Sequence, residues 1–117
     1  MTTIALALFA VAAIAGLSMA VNHFRGRTPP PSAVAALHGI VAASGLVTLL
    51  LAVLQVGATG GLRTALGLFL VAALGGFALL SFHLRGRKLP NALVAGHALL
   101  AVAAFAILCL TVFAASR

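Results

Sequence analysis

Four histidines, His23, His38, His83 and His97, carry almost all the side-chain chemistry in this 117-residue chain, which contains seven Lys and Arg but no Asp or Glu. Imidazole ligates metals and exchanges protons near neutral pH. Without carboxylates, the acid relays that cation antiporters and proton pumps titrate are excluded. The histidines are ordered: His23 precedes Arg25-Gly26-Arg27 and His83 precedes Arg85-Gly86-Arg87 by the same step. His38 and His97 then follow by fifteen and fourteen residues.

This order reflects a repeat. Residues 5–27 return as 65–87 with twelve of twenty-three positions identical, including Gly16/Gly76. Allowing one gap, the match continues through Pro31/Pro90, Ala36/Ala95 and His38/His97. The pattern predicts a tandem duplication of a helical hairpin, 5–55 and 65–114, about a pseudo-two-fold axis along the membrane normal.

The elements positioning these residues must be helices in a bilayer. The chain is 64% hydrophobic with a mean hydropathy of +1.30, too apolar for a water-facing surface. Spanning the hydrocarbon takes about 20 apolar residues, and four stretches qualify: 3–22, 33–55, 62–82 and 91–114. An all-α bundle of four transmembrane helices, one integral membrane domain over 1–117, is expected. Short loops (His23 to Ser32, Val56 to Leu62, His83 to Asn91) require antiparallel neighbours. The first stretch lacks a basic residue before its apolar run and has a counterpart at 62–82, so it is read as a permanent span rather than a signal peptide. Arg25, Arg27, Arg85, Arg87 and Lys88 fall at one end and only Arg63 and Arg117 at the other. That asymmetry places the RGR loops in the cytoplasm and both termini in the periplasm, as for a bacterial inner-membrane protein. Clustered cations at membrane edges also serve as topology signals and headgroup contacts. With no Trp or Tyr and no soluble basic face, nucleic acid is not a partner. Cys109, inside the fourth span, reads as a small core residue.

His38 and His97 stand five or six residues into their helices, roughly 7–10 Å below the helix start. His23 and His83 belong at the interface, where a histidine also works as an amphipathic anchor. Small residues share the deep histidines' faces: Ala35, Ala42 and Gly45 with His38, and Val94, Ala101 and Ala104 with His97. Gly16 and Gly76 lie two turns from His23 and His83 on theirs. Such faces permit close helix packing, and with the histidines they also describe a slot for a flat ligand. A bare divalent ion held by neutral imidazoles beside five cations is electrostatically poor. Haem b meets the objection: the porphyrin neutralises ferrous iron, and Arg25, Arg27, Arg85 and Arg87 stand where its propionates would emerge. His38 and His97 on diagonal helices are the expected axial pair, with His23 and His83 the alternative pair. Polar neighbours are few: Ser18, Asn22, Ser32, Ser44, Ser81 and Asn91.

In architecture the chain resembles the small four-helix b-type membrane cytochromes that exchange electrons with quinols, ascorbate or superoxide. The resemblance rests on four spans in little more than a hundred residues with paired intramembrane histidines. It implies electron transport between a bis-histidine haem and a quinone or small redox partner, an oxidoreductase role. Those families commonly hold two haems near opposite faces; here the outer half lacks histidine, so one is expected. Two other readings are open: a soft-metal carrier for copper(I), with Met19 one turn from His23, or a non-catalytic membrane subunit or assembly factor. Gly- and Ala-rich outer faces, including Gly75-Gly76, would allow a homodimer.

Overall fold

The computed structural model describes residues 1–57 and 59–117; Ala58, in the second predicted loop, lies outside the described residues. Four helices form: α1 (Thr2–Phe24), α2 (Ser32–Val56), α3 (Gly60–Leu84) and α4 (Asn91–Ala115). Each is long and apolar enough to cross a membrane.

The ends follow local chemistry. Gly26 and Gly86 adopt φ of +65° and +62°, left-handed values that cost a glycine nothing. Each closes a Schellman turn: Gly26 N–H donates to His23 O and Arg27 N–H to Asn22 O, while Gly86 N–H donates to His83 O and Arg87 N–H to Phe82 O. The glycine of each RGR is therefore a helix stop, and its arginines flank a helix C-terminus, where the dipole favours cations. Pro31 and Pro90, which lack an N–H to donate, stand at the N-caps of α2 and α4. α3 starts earlier than the sequence predicts. Thr59 Oγ1 accepts from Leu62 N–H at 3.4 Å, and this cap draws Gly60 and Gly61 into the helix. At Gly61 a Cβ would collide with the Thr111 hydroxyl, so α3 and α4 approach closely there.

The bundle runs up-down-up-down. α1 packs mainly on α2 and α3 mainly on α4, with thinner seams between α1 and α4 and between α2 and α3; α1 and α3 are diagonal, as are α2 and α4. The apolar cluster of Ala5, Phe9, Leu49, Leu62, Ala65, Phe69, Ala104 and Leu108 lies wholly in the half away from the RGR loops. At its inner limit Phe9 and Phe69 stack across one diagonal, ring centroids 3.7 Å apart and 3° from parallel. Outward-facing positions are large and apolar: Ile14, Leu54, Leu74 and Leu99 are each about 70% exposed. Inside and outside are both apolar, the arrangement expected where lipid is the solvent.

Candidate functional site

His38 and His97 meet across the second diagonal, ring centroids 6.3 Å apart and planes at 81°. His38 Nδ1–H donates to the Ala12 carbonyl at 2.9 Å, and His97 Nδ1–H donates to the Ala72 carbonyl at 2.7 Å. A carbonyl can only accept, so Nδ1 carries the hydrogen and Nε2 holds the lone pair of the neutral ring.

Two glycines make these bonds possible. In a helix the carbonyl of residue 12 already accepts from the N–H of residue 16. An outside donor reaches it only past the side chain at 16. At Gly16 a Cβ would stand 2.8 Å from His38 Cε1, and at Gly76 one would stand 3.2 Å from His97 Cε1. The missing side chains let each imidazole lie on the neighbouring helix of its own hairpin. From there the two rings face one another across the seam between α1–α2 and α3–α4.

Neither Nε2 has a hydrogen-bond partner among the described residues, yet no fully buried side-chain nitrogen or oxygen there is left unpaired. Both Nε2 atoms are therefore accessible. Phe9 and Phe69 close the seam on the inner side. On the outer side, His23 Nε2–H donates to Asn91 Oδ1 at 2.8 Å, linking the end of α1 to the start of α4. Ser32 Oγ and His83 Nε2 are hydrogen-bonded at 3.3 Å, linking α2 to the end of α3. About 21 Å of helix separates the Phe9 and His23 levels, with the half-buried central imidazoles between them.

The remaining expected site residues divide. His23 and His83 do not face each other, and both have Nε2 engaged by the opposite hairpin. Gly45 lies under the Phe9 ring, where a Cβ would be 3.2 Å from that ring; its two turns from His38 put it a layer too deep for the imidazoles. Arg25, Arg27, Arg85 and Arg87 are exposed at the RGR end. Arg27 Nη1 donates to Asn22 Oδ1 at 3.5 Å. No three His, Cys, Asp or Glu side chains converge among the described residues, so no more than two such donors meet at one point.

Sequence reasoning did not pair the imidazoles with backbone carbonyls, nor Phe9 with Phe69. The signal for the first was present: Gly16 and Gly76 stand four residues after the accepting carbonyls. No known family, curated protein or solved structure matches the chain.

Proposed function

We propose that the chain is a membrane b-type cytochrome carrying single electrons, in which His38 and His97 would hold one haem b. One observation carries the reading: two facing imidazoles, each fixed by an Nδ1–H bond to a carbonyl, each with a free Nε2. Metal-ligating histidines characteristically donate their other N–H to a carbonyl or carboxylate, which fixes ring orientation and raises ligand basicity. The ring centroids of His38 and His97 stand 6.3 Å apart, close enough for one bound group to reach both.

Two protein donors are too few to cage a bare ion, but they would suffice to hold a metal that brings its own ligands, as haem iron does. When bound, the haem would supply one-electron redox chemistry at a potential set by its ligands and surroundings. The chain's own residues perform the rest. Ala12 and Ala72 keep the Nδ1 protons in place, and Gly16 and Gly76 admit the rings. Arg25, Arg27, Arg85 and Arg87 supply positive potential at the end where propionates would lie. A quinone or another small redox partner would exchange the electron. The paired contacts His38–Ala12 with His97–Ala72, and His23–Asn91 with Ser32–His83, join equivalent positions of the sequence repeat. They support a duplicated hairpin with a pseudo-two-fold axis. Five cations at the RGR end favour a cytoplasmic location for those loops, both termini periplasmic, in a bacterial inner membrane.

The test is a visible and pyridine-haem spectrum of the membrane-purified chain. Expected are low-spin bands at one haem per chain, lost equally in His38→Ala and His97→Ala. Loss confined to His23→Ala and His83→Ala would reverse the assignment. Bound copper without a chromophore would favour the soft-metal carrier. If haem-supplemented cells yield neither, the central pair is an interhelical tie in a non-catalytic subunit.

A further inference from the structure

The RGR end raises a question the haem reading does not answer. Arg25, Arg27, Arg85, Arg87 and Lys88 are all exposed, and no Asp or Glu exists in the chain to neutralise them. Their counter-charge must come from another molecule. Beside the first RGR, on the outer face of α1, runs a shallow, open groove lined by Ile14, Leu17, Ser18, Val21 and Asn22. It is apolar along its length and polar toward the loop, where Asn22 accepts from Arg27. Ile14 and Leu17 are 73% and 62% exposed, so the groove opens outward from the bundle, away from the histidine pair.

The second repeat does not reproduce this face. Ala78 stands where the first has Ser18, Ser81 where it has Val21, and Phe82 where it has Asn22. The second RGR therefore has equivalent arginines, but a bulky Phe82 replaces Asn22, the residue that accepts from Arg27.

We propose that this face of α1 binds one anionic phospholipid, its phosphate on Arg25 and Arg27 and an acyl chain in the groove. Arginine suits the headgroup, because its planar fork donates in parallel to two phosphate oxygens. The groove suits the tail, since it continues from the headgroup position down the outer helix face. Together they distinguish a site from general surface attraction, which would act alike on both RGR loops. The proposal is independent of the haem reading.

The test is native mass spectrometry of the full chain in uncharged detergent without added haem. The titrants are phosphatidylglycerol, phosphatidylcholine with the same acyl chains, and inorganic phosphate. A surface cation near an anionic headgroup is worth about fivefold in affinity, so two give phosphatidylglycerol a preference on the order of 25-fold. Replacing both Arg25 and Arg27 with Gln should bring the two lipids near parity, whereas the same change at Arg85 and Arg87 should leave most of the preference. Ser18→Phe, which fills the groove and keeps every charge, should weaken phosphatidylglycerol binding. Wild-type parity between the lipids, or equal losses from the two arginine pairs, would overturn the proposal. Inorganic phosphate binding as tightly as phosphatidylglycerol would overturn the lipid assignment and leave a simple anion site.

Discussion

Gly16→Ala is the most informative single change, because one methyl group separates the histidine tie from the rest of the fold. The added Cβ would lie 2.8 Å from His38 Cε1 and 3.3 Å from Nδ1, against an ordinary carbon contact of about 3.5–4.0 Å. The imidazole must retreat by roughly 1 Å, which takes a 2.9 Å bond beyond hydrogen-bonding range. Overpacking costs about 1–3 kcal/mol, and the lost bond about 0.6 kcal/mol in a membrane. Alanine returns about 0.8–1 kcal/mol of helix propensity. The net is a destabilisation of roughly 0.6–2.8 kcal/mol. At Gly76 the clash is milder, 3.2 Å to Cε1 and 3.6 Å to Nδ1, so Gly76→Ala should cost less than half as much. Unfolding in bicelles reads both, and a double-mutant cycle isolates the cause. With His38→Ala in place the obstruction is gone, and Gly16→Ala should become stabilising by up to about 1 kcal/mol. If Gly16→Ala destabilises the His38→Ala protein as much as wild type, the glycine serves helix packing and the argument about carbonyl access is wrong.

The Phe9–Phe69 stack should show a coupling of about 0.5–1.5 kcal/mol in a Phe→Leu cycle; additive losses would mean that each ring packs on its own hairpin only. His23→Ala and Asn91→Ala should likewise be non-additive by about 0.6 kcal/mol, and hydrogen exchange should show both loop ends opening together. Full additivity would place the pair outside the folded-state contacts. Under the haem reading, replacing Arg25 and Arg85 with Gln should lower the midpoint potential by tens of millivolts, since the cations favour the less positive reduced iron. Spectroelectrochemical titration checks the sign; an unchanged or higher midpoint with haem still bound would limit the arginines to topology and lipid contact.

Helix number and placement were legible in the sequence, because a bilayer demands long apolar runs, RGR marks where α1 and α3 stop, and proline marks where α2 and α4 start. The faces were legible too: Ala35, Ala42 and Gly45 were read onto the side of α2 that turns inward. Depth was not. Gly45 shares the His38 face but sits beneath Phe9, since periodicity assigns a residue to a side of a helix and leaves its layer open. The partners of His38 and His97 are backbone atoms, which side-chain patterning does not reveal. Asn91 and Ser32 stood out only as rare polar residues, and pairing them with His23 and His83 required the offset of one hairpin against the other.

The two halves of the bundle are held together differently. Away from the RGR loops, Leu49, Leu62, Leu108 and the phenylalanine pair fill the interior, and interlocked shape holds the hairpins together. Toward the loops, hydrogen bonds at His23–Asn91 and Ser32–His83 join the hairpins. In lipid, apolar burial contributes little to helix association, so packing and hydrogen bonds decide where a bundle is tight. The central imidazoles lie in the half toward the loops, each bonded to a carbonyl of its own hairpin, so neither Nδ1 bond depends on a contact across the seam.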